Sequence, residues 1–385
     1  MKKTTSIIII LMLNLQLVAQ FEDLTFGTDS TLDVVSWNIE HFPKNGQITF
    51  DYVCQIIEAI DVDVLAIQEI TDNYWLQQLA ENLDGWEGYY AYNEYAGLAY
   101  VYKTNVIENV NIFEIYTNNN REFPRSPVVM EMNYKDEHYV IINNHLKCCG
   151  DGYLDLYNYW DEEKRRLDAC NLLDQYIIDN YSNEKVIVLG DLNDILTDSP
   201  ANNVFQGFTD DNDNYMFVDM EIAEGSSSGW SYPSWPSHID HILITNELFD
   251  DFGNEASEIQ TIKLDEYFEN GFYEYDQNVS DHRPVGLKIK TGSYLGLYNI
   301  NLSQFNLSNY PNPFQGSTTF SFDPVKANSE IEIYNMKAQK IQYFALLRNQ
   351  SSVIWNAENF PAGVYYAKLV VDNKVKVVRK IVLMK

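Results

Sequence analysis

Carboxylate, amide and imidazole side chains recur in this sequence at the ends of short apolar segments. Carboxylate and amide oxygens are ligands for hard divalent cations, and an imidazole can give or take a proton near neutral pH. A lone Asp or Asn at a strand end usually caps a turn, but six successive segments that end in such groups predict one shared site. The residues concerned are Asn38, Gln68, Glu69, Asn144, His145, Asp191, Asn193, Asp240, His241, Asp281 and His282.

Strands predicted from the apolar segments must bring these groups together. Most of the segments are too uniformly apolar to have a solvent-facing side, so we expect them inside packed sheets. They are "LDVVSWNI", "VDVLAIQEI", "AGLAYVYK", "PVVMEM", "HYVIINNHL", "KVIVLGDLN" and "HIDHILIT". Apolar positions three and four residues apart predict two helices, over "FDYVCQIIEAI" and through "YNYWDEEKRRLDACNLLDQYIIDNY". Because strands and helices do not alternate regularly, a layered α/β sandwich is favoured over a doubly wound parallel sheet.

The segment "VIVLGDLND" indicates how one strand delivers two of these groups. Residues two apart on an extended chain point to the same side, so Asp191 and Asn193 are predicted to share one target. Asp194 would point elsewhere unless the strand has already turned, and it is left out of the predicted site. His238 and His241 are interpreted as structural residues.

Six short motifs resemble successive motifs of the endonuclease/exonuclease/phosphatase superfamily, in the usual order. They are "SWNIE", "IQEI", "NNHL", "GDLND", "IDHIL" and "SDHRPV", and the resemblance spans about residues 31 to 290. It implies a four-layered α/β sandwich, in which two packed mixed sheets are flanked by helices and the site lies at one edge of the sheets. It also implies a metal-dependent attack of water on a phosphate ester.

The resemblance assigns the metal ligands and the proton-transfer groups. Glu69 resembles the principal metal ligand, with Asn38 and Asp281 near the same ion. Magnesium is the expected cofactor because hard oxygen ligands suit it, with Mn²⁺ or Ca²⁺ as alternatives. His282 resembles the catalytic histidine and Asp240 its partner, so this pair would place an acid or a base beside the phosphate.

The remaining site residues are assigned to the phosphate and the attacking water. Asp191 and Asn193 would hold the water and a phosphoryl oxygen, and His145 would contact another non-bridging oxygen. Arg125, in "FPRSPVVMEM", and Asn144 are the predicted phosphate-binding residues. Together these groups supply the donors and the water activator that in-line attack on a phosphodiester needs.

The first 20 residues predict export. Lys2 and Lys3 precede the apolar stretch "IIIILMLNLQLVA", which has the length of a signal-peptide core and is too short to cross a bilayer comfortably. We therefore expect a signal peptide over residues 1 to 20 and no transmembrane segment in the mature protein.

Export makes disulfides possible, and the chain has four cysteines. A bridge from Cys148 or Cys149 to Cys170 is favoured over a zinc site, because adjacent cysteines lack the usual zinc-ligand spacing. Cys54, inside a helical pattern, is predicted to be a small buried apolar residue. The sequence leaves the oxidation state of the double cysteine open.

The C-terminal segment, residues 309 to 385, contains short strands separated by Gly, Pro and Asn turns, which predict a small β-sandwich. Its "YPNP", "GVYYAKL" and "KVVRKIVL" resemble the sorting domain of type IX secretion substrates. The resemblance implies that the secretion machinery is a partner and that the protein is secreted or attached to the cell surface. A carbohydrate-binding or adhesive module is the alternative. The catalytic domain is predicted over residues 21 to 292 and a linker over residues 293 to 308.

Charge is divided unevenly between the two predicted domains. Residues 21 to 292 contain 51 acidic residues and 14 Lys or Arg, whereas residues 293 to 385 contain 5 acidic residues and 10 Lys or Arg. Because affinity for a nucleic-acid backbone comes largely from Lys and Arg, the acidic domain is predicted to be a poor nonspecific polyanion binder. An anionic substrate would therefore need metal ions to offset the repulsion.

The sequence predicts a secreted, Mg²⁺-dependent phosphodiester hydrolase, most simply an endonuclease that acts on extracellular DNA in preference to RNA. A sphingomyelinase-like or inositol-phosphatase-like phosphoesterase remains an alternative, and "PSWPSHIDHIL" has some similarity to the 5-phosphatase signature. From a different class, a non-catalytic surface adhesin or binding module remains open. A monomer is the default oligomeric state.

Overall fold

The computed structural model of the protein describes residues 20–94, 96–291, 307–322, 329–335, 337, 339–347, 350–371 and 374–385. The chain divides into two compact units, Met1–Thr291 and Gly292–Lys385. Nearly all of the predicted signal peptide and linker lies outside the described residues. Within the described part of the chain, no helix is both long and apolar enough to cross a membrane.

The first sheet of the N-terminal unit has six strands. They are β1 (Leu32–Phe42), β2 (Val64–Ile70), β3 (Trp86–Ala91), β4 (Gly97–Lys103), β11 (Glu258–Thr261) and β12 (Val285–Ile289). Their order in the sheet is β11-β12-β1-β2-β4-β3. β1 runs parallel to β2 and antiparallel to β12, so the sheet is mixed.

The second sheet also has six strands. They are β5 (Ile107–Glu114), β6 (Val128–Tyr134), β7 (Glu137–His145), β8 (Lys185–Asp191), β9 (Tyr215–Phe217) and β10 (Asp240–Thr245). Their order is β5-β6-β7-β8-β10-β9. β7 and β8 are parallel, and β10 is antiparallel to β8.

Helices cover the outer face of each sheet. They are α1 (Gln47–Ile60), α2 (Asn73–Asn82), α3 (Glu162–Tyr181), α4 (Gln206–Asp210), α5 (Met220–Ala223) and α7 (Phe272–Asn278), whereas α6 (Phe249–Phe252) packs against apolar residues between the sheets. Val53 of α1 shares an apolar cluster with Val35 of the first sheet, and Leu173 of α3 shares one with Val140 of the second. The predicted four-layered α/β sandwich of two mixed sheets is confirmed.

A third apolar cluster lies between the two sheets and explains why most strands carry apolar residues on both faces. Val34 and Tyr100 from the first sheet pack there with Met130 and Leu189 from the second. Side chains alternate along a strand, so neighbours such as Val35 and Val140 are left to face the helices. Burial on both faces removes the polar alternation that a half-exposed strand would show.

Strand directions bring the predicted site residues to one edge of the sandwich. Parallel β1 and β2 end there, as do parallel β7 and β8. The antiparallel strands β10 and β12 begin at the same edge, because Asp240 pairs with Asp191 and Val285 pairs with Ser36. Segments far apart in sequence therefore contribute neighbouring side chains.

The C-terminal unit consists of two antiparallel sheets. The strands are β13 (Leu307–Tyr310), β14 (Ser317–Phe322), β15 (Ser329–Asn335), β16 (Lys340–Leu346), β17 (Ser352–Asn356), β18 (Gly363–Val371) and β19 (Lys374–Leu383). Their orders are β13-β14-β17 and β16-β15-β18-β19. Trp355 and Phe320 of the smaller sheet share one buried cluster with Ile333 and Leu369 of the larger. The predicted small C-terminal β-sandwich is confirmed.

Gly190 permits the close pairing of β7 and β8 beside the site. Its φ is 139°, and a Cβ atom built there would lie 1.9 Å from the Asn144 carbonyl oxygen. Such an overlap with backbone cannot be relieved by a side-chain rotation.

We expect Gly190→Ala to lower the free energy of unfolding by roughly 2–4 kcal/mol, because the added methyl group must push β7 away from β8. Urea denaturation of the full-length protein measures this loss. Gly207→Ala is the matched control, since a Cβ atom there meets nothing within 4 Å. Equal stability of the two variants would contradict the account.

Candidate active site

His282 and Asp240 form a buried pair at the shared edge of the sheets. The His282 Nδ1 atom lies 2.8 Å from Asp240 Oδ2, and both side chains are almost completely buried. The ring of Tyr232 covers the imidazole, with centroids 4.7 Å apart. Ser280 Oγ accepts a hydrogen bond from the His282 backbone N–H and donates one to the Asn38 carbonyl, which ties this segment to β1. The histidine ring is therefore held in one orientation.

Asp191, the last residue of β8, lies between two imidazole rings. Its Oδ2 atom is 3.4 Å from His145 Nε2 and 3.8 Å from His282 Nε2. The Asn38 amide donates a hydrogen bond to the same oxygen at 2.9 Å. These contacts join β1 of the first sheet to β7 and β8 of the second.

Glu69 stands at a distortion of β2. The pairing of β2 with β4 shifts between Gln68 and Ile70, and Glu69 has a φ of 65°. A positive φ is unfavourable for a residue other than glycine and is typical of functional sites. The carboxylate accepts a hydrogen bond from the His41 backbone N–H at 3.1 Å, and the Asn38 amide lies 3.4 Å from its other oxygen.

Charge is distributed unequally over the two histidines. Burial opposes protonation of His282, but Asp240, Asp191 and Asp281 outweigh it and raise the pKa of His282 to about 10. Burial, together with Arg125 and His282, holds the pKa of His145 well below its usual range. The site therefore contains one imidazolium and one neutral imidazole at neutral pH.

The Asp191 carboxyl is suited to accept a proton. Burial raises the pKa of Asp191 to about 7, although His282 opposes the shift. A carboxyl group with a pKa near the working pH can remove a proton efficiently while about half of it is ionised.

Glu69, Asn38 and Asp281 remain the predicted ligands of a hard divalent cation; the Asn38 Oδ1 atom accepts a hydrogen bond from the Glu40 N–H, and its amide nitrogen faces Glu69. The Glu69 and Asp281 side chains retain 16% and 22% of their exposure, so a cation can reach them from solvent. Burial raises the pKa of Asp281 to about 6 and neighbouring Glu40 adds to the shift, although the positive charges of His282 and Lys44 oppose it. Asp191, Asp240 and His282 also approach one another within 4.8 Å. His282 Nδ1 is already bonded to Asp240, so the oxygen donors offer the better set.

Asn193 reaches the edge by a route that differs from the prediction. β8 ends at Asp191, and Asn193 has a φ of 56°, so the chain has left the extended conformation. Its backbone N–H bonds to Asp191 Oδ1 at 3.1 Å, and its amide donates to the Leu146 carbonyl at 3.3 Å. The inference from a spacing of two residues was wrong, because a turn and not a strand carries Asn193.

Asn144 does not join the cluster. Successive residues of β7 face opposite sides, and His145 faces the site. The Asn144 amide instead bonds to the carbonyls of Ile142 and Leu189, and its side chain is fully buried. The predicted phosphate contact of Asn144 stays a prediction, and the buried position of its side chain does not support it.

Arg125 lies near the site, unlike Arg121. The charge of Arg125 acts on His145, and its Nε atom donates to the Ala96 carbonyl at 3.2 Å. Arg121 is bonded to Asp168 and Glu122 and is stacked on Tyr159. Arg125 is thus the arginine whose charge reaches the cluster.

A buried polar network behind the site contains His238 and His241, which were interpreted as structural residues, and Asp219, which the sequence patterns missed. Asp219 Oδ2 lies 3.0 Å from His238 Nε2 and 2.6 Å from His241 Nδ1, and His241 Nε2 lies 2.8 Å from the Asp194 carbonyl oxygen. Ser231 donates its N–H to His238 Nδ1, so the Nε2 atom of that ring carries the proton. These ring nitrogens are donors, so the cluster holds the strand tip in place and is a poor metal site.

Asp194, left out of the predicted site, anchors this network to α3. Arg166 Nε donates to Asp194 Oδ2 at 2.8 Å. The same guanidinium donates to the carbonyls of Lys147 and Cys149, both at 2.7 Å. One buried ion pair therefore fixes the segments that follow His145 and Asp191.

The exposed aromatic side chains described in the N-terminal unit lie in strand-to-strand connections that leave or reach the sheets at the edge carrying the site, and two of them, Tyr74 and Tyr273, lie within the helices α2 and α7 of those connections. Four follow His145 in the connection from β7 to α3, and the others lie in four further connections. They are Tyr74, Tyr92, Tyr153, Tyr157, Tyr159, Trp160, Trp235 and Tyr273. We call this set the aromatic rim.

The fold and this edge define a class, the phosphoesterases built on two packed mixed sheets. Residues 35–282 match the model of the endonuclease/exonuclease/phosphatase family, and residues 308–384 match that of the secretion system C-terminal sorting domain. The chain belongs to the endonuclease/exonuclease/phosphatase family. Its sorting domain indicates export to the cell surface or the medium.

Solved structures that are similar to this chain have low sequence identity to it. D. rerio TDP2 complexed with a single-strand DNA product has 13% identity and a TM-score of 0.52, covering 68% of this chain and 100% of that chain. Humanized D. rerio TDP2 has 12% identity and a TM-score of 0.51, with the same coverage. A Bacteroides thetaiotaomicron mannosyl-6-phosphatase has 15% identity and a TM-score of 0.47, covering 67% and 99%. No curated protein matches the sequence.

Removal of the Asp219 charge is expected to destabilise the protein in a pH-dependent way. Asp219→Asn should cost about 3–5 kcal/mol, because it leaves the buried His241 imidazolium without its partner. Burial opposes protonation of His241, but Asp219 outweighs it and raises the pKa of His241; burial likewise opposes ionisation of Asp219, but His241 and His238 lower its pKa.

The sign of the pH dependence follows from these shifts. Because the pKa of His241 is higher in the folded than in the unfolded protein, protonation of His241 stabilises the fold fully below about pH 6.5. This stabilisation is lost as the pH rises through the pKa of His241 in the folded protein. The lowered pKa of Asp219 gives stability that is lost only at strongly acid pH. The destabilisation by Asp219→Asn should therefore be larger at about pH 5.5 than at about pH 8.5 in urea denaturation. Exposed Asp213→Asn is the control, and a pH-independent difference would contradict the account.

Proposed function

We propose that this protein is a secreted, metal-dependent phosphodiesterase that cleaves extracellular DNA. The observation that carries the proposal is the arrangement around Asp191, where a carboxyl of raised pKa lies between a charged and a neutral imidazole. Such a set can activate water on one side of a phosphate and donate hydrogen bonds to its oxygens on the other.

Asp191, His282, His145 and Asn193 have different roles in the proposed reaction. Asp191, with a pKa of about 7, orients the attacking water and takes its proton. His282 keeps its Nδ1–H on Asp240 and directs its Nε2–H to a phosphoryl oxygen, where the imidazolium offsets developing negative charge. His145 donates from Nε2 to a second oxygen, and Asn193 provides a neutral amide beside Leu146.

Glu69, Asn38 and Asp281 would hold the cation, and Mg²⁺ is the proposed ion. When bound, a divalent ion supplies Lewis-acid stabilisation of charge on the phosphate. Arg125 adds positive charge near His145.

The aromatic rim supports a nucleic-acid substrate over a smaller ester. Bases stack on aromatic side chains with about 1–3 kcal/mol per base and little sequence preference. Tyr157 is fully exposed and Trp235 is 79% exposed, so both faces of such rings are open to a base. The D. rerio TDP2 structure contains a single-strand DNA product, and we extend this substrate class to the present chain.

Few cations are available for the phosphate backbone, which favours short or single-stranded substrates. Among the described residues, Arg125 and Lys147 lie near the edge and bond to backbone carbonyls, not to carboxylates. Affinity that comes from stacking depends less on salt than affinity that comes from counterion release.

The decisive assay incubates the full-length protein with duplex DNA, single-stranded DNA, RNA, sphingomyelin, an inositol polyphosphate and bis(p-nitrophenyl) phosphate. We expect cleavage of DNA and of the nitrophenyl ester with Mg²⁺ and none with EDTA. His282→Ala should lower kcat by about 10²–10⁴-fold, whereas the exposed His138→Ala control should not.

Each other outcome has a definite meaning. Cleavage of only the lipid or only the inositol phosphate would replace DNA as the substrate. A protein that cleaves none of these esters with metal, or whose His282→Ala variant is fully active, would contradict a hydrolase and favour an adhesin.

The role of the aromatic rim is tested by Trp160→Ala and Trp235→Ala. Each is expected to lower kcat/KM for a single-stranded oligonucleotide by about fivefold or more, since a stacking contact is lost. Neither should change kcat/KM for bis(p-nitrophenyl) phosphate, which has no base. Tyr343→Ala, an exposed aromatic of the C-terminal unit, is the control. Equal losses on both substrates would show that the residues serve the fold and not base binding.

A further inference from the structure

Cys148 and Cys149 are adjacent exposed thiols in the connection from β7 to α3. They come three and four residues after His145, and their Sγ atoms are 2.9 Å apart. The catalytic scheme above does not use either thiol. Two exposed sulfur atoms this close together can be joined by one oxidation step.

Hydrogen bonds from a buried arginine fix the backbone around the two cysteines. The Arg166 guanidinium, which is almost completely buried, donates to the Lys147 carbonyl on one side of the pair and to the Cys149 carbonyl on the other. Cys149 has a φ of 70°, so this clamp holds it in a left-handed conformation. The side chains are thus presented to solvent in a restricted geometry.

Glu163 fixes the next turn of the same connection. It accepts a hydrogen bond from the Gly152 N–H at 2.7 Å and lies 3.4 Å from the Arg166 guanidinium. A Cβ atom at Gly150 would lie 2.1 Å from the Glu163 carboxylate, so glycine is required there. The chain on both sides of the thiols therefore has little freedom to carry either sulfur elsewhere.

The other two cysteines are less accessible to a disulfide reagent than Cys148 and Cys149. Cys170 is buried in the apolar cluster beneath the second sheet, and burial raises the pKa of its thiol far above the usual range. Burial raises the pKa of Cys54 to about 12, and that residue is half-buried in α1. All four cysteines are free thiols, so the predicted bridge to Cys170 is not formed. The hydrogen bond with Cys148, together with burial, also raises the pKa of the Cys149 thiol, so solvent exposure distinguishes the pair from the other two cysteines.

We propose that Cys148 and Cys149 form a redox modification site that closes to a vicinal disulfide after export. A thiolate of the pair attacks a low-molecular-weight disulfide such as oxidised glutathione, which gives a mixed disulfide and releases one glutathione thiolate. The neighbouring thiolate then attacks the protein sulfur and releases the second glutathione. Two protein thiols are oxidised, one glutathione disulfide is reduced, and both thiol protons pass to the two glutathione thiolates.

This disulfide is expected to be easily reduced. Cα atoms across one trans peptide bond are about 3.8 Å apart, whereas most disulfides join Cα atoms about 4.4–6.8 Å apart. A strained disulfide has a more oxidising potential and is labile to thiols. The pair would therefore remain reduced inside the cell and close only in an oxidising environment, as the sorting domain implies for the exported protein.

The test treats reduced full-length protein with oxidised glutathione and then measures its intact mass and its cysteine-containing peptides. We expect the native chain to lose the mass of two hydrogen atoms, to retain no glutathione, and to yield a peptide with Cys148 joined to Cys149. Cys148→Ser and Cys149→Ser should each retain one glutathione, because the resolving thiol is absent. Cys170→Ser should behave as the native chain does.

Three results would overturn the proposal. They are a stable glutathione adduct on the native chain, free alkylation of both thiols after the oxidising treatment, and a peptide that links either residue to Cys170. The peptide map separates these cases even if one variant folds poorly, because the native chain alone distinguishes them.

Discussion

The Asp191 carboxylate is the interaction on which the arrangement depends. It is buried at the tip of β8, accepts a hydrogen bond from Asn38 of the other sheet, and lies between the rings of His145 and His282. A buried carboxylate is costly unless donors surround it, so the two sheets must stay in register at this edge. The same burial gives Asp191 a pKa suited to proton transfer, and one residue thereby links folding to chemistry.

A buried ion pair between Asp194 and Arg166 stabilises the turn that follows Asp191. The Asp194 carboxylate accepts a hydrogen bond from the Arg166 guanidinium, and the Asp194 carbonyl accepts one from the His241 ring. The other nitrogen of the His241 ring is bonded to the Asp219 carboxylate. The turn after Asp191 is therefore fixed from two directions and positions Asn193. Together the two acids of "GDLND" serve separate purposes, one in the site and one in its support.

Sequence patterns predicted the features that depend on local order along the chain. The apolar segments and the acids or amides that end them located the sandwich and brought Glu69, Asp191 and His282 to one edge. The pleat of β7 turns the Asn144 side chain away from the cluster, and a turn after β8, not an extended strand, carries Asn193. Asp219 escaped notice because only the tertiary fold brings it to His238 and His241. The cysteine bridge failed for the same reason, since burial of Cys170 in the apolar cluster separates it from the exposed pair.

Anomalous diffraction from crystals of the full-length protein soaked in Mn²⁺ tests the central claim most directly, because the ion's position decides which cluster performs the chemistry. The account predicts an anomalous peak at the Glu69 carboxylate, within coordination distance of Asn38 or Asp281 oxygens. A peak only among Asp219, His238 and His241, or no peak at the edge of the sheets, would contradict a metal-dependent phosphoesterase site at this position.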